Sequence, residues 1–363
     1  MPKLFPCVRI LPLAAALFFS ASVSAQSIVS SIKPIHLIAT AVTDGIVEPV
    51  QLLPSNASPH TYALKPSDMQ VLTQADVFFW IGPDMEQFLT RPLERTSAQV
   101  VALYHSDDHD HDHDHDHAKH EAHHGHDHDH AKHEAHHGHD HDHAKHEEHH
   151  GHDHDHAKHE AHHGHDHDHA KHEEHHGHDH DHAKHEEHHD HDHDAHIWLD
   201  PVNAIKIAQT MVNALVPIMP DHEAALKANL ERFSADVRQL DAELSATLTP
   251  VKDKGFYVFH DAYGHFVHHY QLNQLGYFTV DPARQPGARH LTAIRNQLQE
   301  GEVACVFSEP QFTSAVVTSI TRGLDVGHAV LDPLARDITP SATAYVEYLR
   351  GLAGAFHECL ARG

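Results

Sequence analysis

The chain has 363 residues, 40% of them hydrophobic and 21% charged, with 52 histidines and a formal net charge of −28. The stretch from His105 to His196 alone holds 28 acidic residues against 6 lysines and so supplies −22 of that charge. The remainder is only mildly acidic and has neither a basic, aromatic-interleaved patch nor a basic amphipathic helix, which excludes nucleic acid and a membrane surface as partners.

The N-terminus reads as a secretory signal peptide. Lys3 and Arg9 flank an apolar stretch that continues from Leu11 to Phe19, and Val23-Ser24-Ala25 places small residues ahead of a cleavage point near Ala25/Gln26. The apolar core is too short to span a bilayer, and no later segment approaches the ~20 apolar residues a spanning helix needs, so direct membrane insertion is excluded. Cys7 lies near the start of the signal and not at its end, which argues against a lipid anchor and for a periplasm.

From Gln26 onward, short apolar runs alternate with helical stretches. Ser27 to Ile32, Val47 to Leu52, Val77 to Ile81 and Val100 to Leu103 read as strands, with helices over Ile35 to Thr43 and Pro66 to Gln74. Strands alternating with helices predict a parallel sheet covered on both faces.

A 13-residue unit then recurs, starting at Ala118, Ala131, Ala144, Ala157, Ala170 and Ala183, the last copy departing from the pattern. It has nothing apolar larger than alanine, so it cannot stack into a continuous core as a solenoid repeat must. Residues 104–195 therefore read as a disordered His/Asp/Glu-rich insertion in the first lobe. About 246 residues remain once the signal and insertion are set aside, enough for two compact domains.

Beyond the insertion, Pro201 to Val216 reads as a helix. Asp221 to Leu248 reads as a long amphipathic one, with Leu226, Leu230, Phe233, Val237, Leu240 and Leu244 on one stripe. Strand and helix then alternate again: Phe256 to Phe259, a helix after Asp261, Tyr277 to Val280, His290 to Leu298, Val303 to Ser308, Ser314 to Gly323, Ala329 to Leu331, and a closing helix from Ala342. The resulting division is a first lobe over 26–220, a linking helix over 221–249 and a second lobe over 250–363. Past the signal only Cys305, on a buried strand, and Cys359, in the last helix, remain. In an oxidising compartment they are a disulfide candidate, with two free buried thiols as the alternative.

Three histidines sit where a strand or loop meets a structured element. His60 lies in a loop leading into a helix, His196 abuts the apolar Ile197-Trp198-Leu199 that ends the insertion, and His260 terminates the strand Phe256-Tyr257-Val258-Phe259. In parallel-sheet proteins ligands bind outside the carboxyl ends of strands, which makes residues in such positions candidates for lining a cleft. Asp332, after Ala329-Val330-Leu331, meets the same condition and can equally be a turn residue preparing Pro333. Glu309 is a weaker candidate of that kind. His60 can equally cap the following helix. His265 and His269, at i and i+4, are a possible separate zinc pair, although a solvated face is the default for such residues.

Pro59-His60-Thr61-Tyr62 with Lys65-Pro66-Ser67-Asp68, His196-Ile197-Trp198-Leu199-Asp200-Pro201, Phe259-His260-Asp261-Ala262-Tyr263, Ser308-Glu309-Pro310-Gln311-Phe312 and Leu331-Asp332-Pro333-Leu334 resemble the zinc-specific branch of the cluster of metal-receptor solute-binding proteins. The resemblance covers essentially the whole mature chain in order. The acidic His-rich insertion is similar to that of the periplasmic zinc-uptake proteins of Gram-negative bacteria.

The resemblance implies two (β/α) lobes joined by one long rigid helix, with limited hinge motion and a metal in the cleft between them. It implies a non-enzymatic, monomeric receptor that delivers Zn(II) to the membrane permease of an ABC importer. His60 and His196 would be supplied by the first lobe, and His260 with Asp332 or a water by the second. Such proteins often carry glutamate just before the first histidine; here Pro59 stands there and leaves the fourth ligand open.

Donor chemistry leads to the same metal independently. Neutral imidazoles with a carboxylate or water suit tetrahedral zinc, whereas manganese and magnesium favour oxygen-rich shells. The insertion, with neutral imidazoles between carboxylates, is expected to bind additional zinc weakly and to collect or buffer it. A zinc hydrolase is the competing class, because three histidines with an open position also hold catalytic zinc, but no His-Glu-x-x-His motif accompanies them. A pure zinc buffer is a third.

Overall fold

The structure is a computed structural model that describes residues 26–104, 194–282, 284–312 and 315–362. The expected signal peptide and the repeats at 105–193 lie outside the described residues. Tyr104, Asp194 and Ala195, at the edges of the stretch expected to be disordered, are placed, and Ala195 is buried.

Two sheets, each of four parallel strands, organise the described residues. The first contains β1 (Ile28–Ser30), β2 (Val50–Gln51), β3 (Val77–Trp80) and β4 (Gln99–Ala102), in the order β2-β1-β3-β4. Its helices are α1 (Lys33–Val42), α2 (Pro66–Gln74) and α3 (Thr90–Leu93), with α4 (Pro201–Leu215) following the insertion. The second contains β5 (Gly255–His260), β6 (Gln274–Thr279), β7 (Val303–Ser308) and β8 (Gly327–Val330), in the order β6-β5-β7-β8. Here α6 (Gly264–Tyr270), α7 (Ala288–Glu300) and α8 (Ala315–Thr321) alternate with the strands, and α9 (Ala344–Leu360) closes the chain.

Every residue of β3 and of β5 is buried, which is why these strands read as unbroken apolar runs and not as alternating ones. In both sheets the first strand of the lobe lies inside and the second lies at an edge. The strand order therefore reverses beside β1 in one lobe and beside β5 in the other, the place where open parallel sheets bind ligands.

The long helix is α5 (Glu223–Leu248), of 26 residues, so it spans roughly 39 Å. Leu226, Leu230, Phe233, Val237, Leu240 and Leu244 are all buried along its stripe. It packs on α1 and α4 of the first lobe and on α9. Asn229 Nδ2 donates to the carbonyls of Val42 (3.1 Å) and Asp44 (2.9 Å). Towards the other end, Arg350 of α9 grips both carboxylate oxygens of Glu243 at 2.9 Å. Among the described residues no helix is long and apolar enough to cross a membrane.

Cys305 and Cys359 form a disulfide with Cα atoms 6.0 Å apart, joining β7 to α9. Gly327 in β8 makes room for it: a Cβ there would meet the Ala304 carbonyl at 2.9 Å and Cys359 Sγ at 3.0 Å.

Candidate metal centre

His60 lies in the turn-rich loop between β2 and α2. It does not cap α2. That task falls to Asp68, whose carboxylate accepts from the Lys65 N–H and the Tyr62 hydroxyl, both at 2.8 Å. These bonds close the loop onto the start of the helix and fix its path. His196 precedes a 3-10 turn, Ile197–Leu199, after which Asp200 caps α4 by accepting from Val202 N at 2.6 Å. His260 is the last residue of β5 and is paired in register with Thr279 of β6.

These three elements bring the imidazoles together. Ring centroids are 5.5 Å apart for His60 and His196, 5.0 Å for His60 and His260, and 5.0 Å for His196 and His260. One nitrogen of each lies within 4.8 Å of the others. A tetrahedral zinc with bonds of roughly 2.0–2.1 Å separates its nitrogens by about 3.3 Å, so small ring rotations close the set on one ion.

Nε2 of His60 and Nε2 of His260 are both shut off from solvent and have no hydrogen-bond partner. Buried polar atoms are nearly always satisfied, and two left unpaired on neighbouring rings match a cation's demand for lone pairs. Burial, reinforced by the nearby His196 and His260, lowers the His60 pKa to about 3 against the pull of Asp194. The ring is therefore neutral, the form that ligates metal. His60 also lines an open pocket with Asp84, Met85, Gln87, Phe88 and Asp281, which gives the centre an approach from solvent.

Carboxylates surround the histidines without joining them. His196 Nδ1 donates to Asp194 Oδ1 at 2.7 Å. Burial alone would raise the Asp194 carboxyl, but His196 and His265 outweigh it and hold the group below its ordinary range. Glu309, just beyond the carboxyl end of β7, is buried, with Oε1 3.6 Å from His260 Nδ1 and accepting from the Tyr263 hydroxyl at 3.2 Å. Such carboxylate–imidazole contacts orient rings that bind metal.

Asp332, expected beside the three histidines, is not grouped with them. Its Oδ1 accepts from Gln311 Nε2 at 2.6 Å and Leu334 N at 3.1 Å, and its Oδ2 from Arg336 N at 2.6 Å. It organises the turn after β8. Among the described residues the candidate metal group is His60, His196 and His260 alone.

The expectation for His265 and His269 also changes. Both are partly buried, not a solvated face, and each ring is bonded to another segment. His265 Nε2 donates to the Asp194 carbonyl at 2.7 Å, and His269 Nε2 bonds Asp241 of α5 at 2.8 Å. Both reach out of the second lobe's α6. Spacing on one helix does not reveal that another segment covers it.

Residues 28–359 match the family described as "ZnuA: Zinc-uptake complex component A periplasmic". The chain is 41% identical to the high-affinity zinc uptake system protein ZnuA of Haemophilus influenzae, covering 98% of this chain and 99% of that one. It is 35% identical to the protein of that name from Yersinia pestis, over 93% and 92% of the two chains. In fold it resembles a crystal structure of ZnuA, with a TM-score of 0.63 at 21% identity over 93% of this chain and 99% of that one. A nickel-bound solute-binding protein, FpvC of P. aeruginosa, has a TM-score of 0.61 at 15% identity over 93% and 97%. At these identities the two likenesses speak to fold alone.

Proposed function

Because this chain belongs to the ZnuA family, the zinc-binding periplasmic component of a zinc uptake system, we propose that it captures one Zn(II) on His60, His196 and His260 and carries it to the membrane permease of an ABC importer. It is a transport component and not an enzyme. The observation that carries the proposal is that three imidazoles each place a nitrogen within 4.8 Å of the others, and two of these rings have a buried Nε2 without a hydrogen-bond partner. Water or a carboxylate delivered by a small movement completes the tetrahedron; the oxygens of Asp332 are engaged in its own turn, and Glu309 lies beside Nδ1 of His260, not its unpartnered Nε2.

The His-rich stretch takes a second role in this proposal. Its neutral imidazoles and carboxylates bind further zinc weakly and exchange it with the centre. Attachment beside His196 raises the local zinc concentration at the pocket. As pH falls the imidazoles protonate, the segment's negative charge is cancelled and its zinc is released.

The test is a zinc titration of the full chain against a competing chelator. One tight equivalent beside several weak ones, with the tight one lost in His260→Ala and the weak ones kept, supports the reading. Retention of the tight equivalent in that variant removes it.

A further inference from the structure

His196 differs from the other two candidate ligands in having a carboxylate at hydrogen-bonding distance. Asp194 Oδ1 accepts twice from the same residue, from the backbone N–H of His196 at 3.0 Å and from its ring Nδ1 at 2.7 Å. A carboxylate accepts and does not donate, so Nδ1 carries the hydrogen and Nε2 is left with the lone pair. The partner that fixes the tautomer of a metal-binding histidine also sets the ring's orientation and basicity.

Asp194 is itself held. Its carbonyl accepts from His265 Nε2 at 2.7 Å, a bond from α6 in the second lobe. The side chain is largely buried. Further along the same strip, His269 of α6 bonds Asp241 of α5 at 2.8 Å and lies 3.6 Å from Asp200, the cap of α4. One face of α6 thus reaches both ends of the segment that carries His196. That helix begins four residues after His260, so two of the three imidazoles are set in register through one helix.

We propose that Asp194 is a positioning residue of the metal centre, presenting Nε2 of His196 to the ion, and that His265 holds Asp194 in place from the opposite lobe. The proposal rests on the three-histidine reading above but makes a separate claim, about the ring before any metal arrives. It concerns a residue at the very end of the His-rich stretch that acts on the centre through structure and not as one more weak ligand.

The experiment uses the full chain with Asp194→Ala, Asp194→Asn and His265→Ala, and two readouts. The first is the ¹⁵N spectrum of the His196 ring in the metal-free protein. The Nδ1–H tautomer is expected in the wild type and in Asp194→Asn, which keeps an acceptor oxygen, and a mixture of tautomers in Asp194→Ala. The second is affinity for the tightest zinc equivalent by chelator competition. A loss of about 10- to 100-fold is expected for Asp194→Ala, with smaller losses for Asp194→Asn and His265→Ala.

An Asp194→Ala ring that keeps the wild-type tautomer, or an affinity within about twofold of wild type, overturns the assignment. Should the alanine variant not fold, Asp194→Leu, which also removes the acceptor, takes its place, and an unchanged tautomer or affinity there has the same meaning. If the wild type itself lacks a tight zinc equivalent, the capture reading fails, while the tautomer in the metal-free chain still judges Asp194.

Discussion

The indole N–H of Trp198 donates to the carbonyl of Pro333 at 2.9 Å, tying the strip just after His196 to the turn that follows β8. The Tyr345 hydroxyl donates to the Trp198 carbonyl at 2.8 Å, and the Tyr348 hydroxyl to the same Pro333 carbonyl at 2.7 Å. His196 precedes α4 in sequence, yet the residues around it are fastened to the second lobe. Trp198→Phe, which keeps one aromatic ring but removes the donor and leaves a cavity at a fully buried position, is expected to cost about 2–4 kcal/mol of stability and to speed zinc dissociation. Denaturant unfolding and stopped-flow chelation measure the two; a variant unchanged in both would show that this fastening does not matter.

Asp332 and the histidines should part company on mutation. Asp332→Ala removes the acceptor for two backbone N–H groups and Gln311, so a loss of about 2 kcal/mol in stability is expected, with zinc affinity within about threefold of wild type. His60→Ala should do the reverse, with near-wild-type stability in the metal-free protein and a loss of tight zinc of 100-fold or more, on the order of one coordinate bond's contribution. Competition titration paired with thermal melting distinguishes them. A large affinity loss in Asp332→Ala would return that carboxylate to the centre.

Two buried groups outside the histidine cluster give opposed pH dependence to the metal-free fold. Burial, helped by Lys33, lowers the His36 pKa from 6.5 to about 4. Between those values the unfolded chain takes up a proton that the folded chain does not, so stability falls as pH drops from 6.5 to 4. Burial raises Glu86 from 4.5 to about 7 despite the backbone N–H groups of Ile81 and Gly82, so the folded chain holds the extra proton and stability falls as pH rises from 4.5 to 7. Relative to wild type, Glu86→Gln should widen the excess of Tm at pH 7.5 over Tm at pH 5.5, and His36→Asn should narrow it. Melting curves that shift in parallel at all pH values would contradict both assignments.

Removing the His-rich stretch should leave one tight zinc and abolish the weak ones, and the place of the cut decides the outcome. A deletion of residues 105–193 keeps Asp194 and its bonds to His196, whereas one extending through 194 also weakens the tight site. Zinc stoichiometry by equilibrium dialysis checks the first statement and competition titration the second. Unchanged stoichiometry after the shorter deletion would make the stretch a spacer.

The disulfide closes a loop with a sequence separation of 54, worth roughly 4 kcal/mol on the chain-entropy account. Replacing both cysteines by alanine is expected to lower unfolding stability by about 2–4 kcal/mol with zinc affinity retained, because the bridge lies on β7 and α9 and away from the histidines. Chemical denaturation with and without a reductant measures it; equal stability in the two conditions would deny the bridge any such role.

Much of this architecture can be read from the chain because buried parallel strands are continuous apolar runs. Val303 to Ser308 and Pro66 to Gln74 match their elements residue for residue. By contrast β6 begins at Gln274, three residues before the apolar run suggests, because it is an edge strand whose first residues are partly exposed. His60, His196 and His260 stand out by their place at the ends of elements. Asp194 does not, since it is one aspartate among many in a repetitive tract and only its fold neighbours His196 and His265 distinguish it. Asp332 shows the converse difficulty. A carboxylate ending a strand has one sequence signature whether it turns towards an ion or towards its own turn, and only the structure shows its oxygens bonded to Gln311, Leu334 and Arg336.

The matching strand orders of the two sheets separate two properties that many binding proteins entangle. The three candidate donors sit at loop tips and strand ends, one residue at a time, whereas α5 and the helices packed along it carry none of them. Exchanging His260 for an oxygen donor would retune the protein toward a harder cation without redesigning its spine. A scaffold divided in this way allows metal preference to drift while the mechanics are inherited intact.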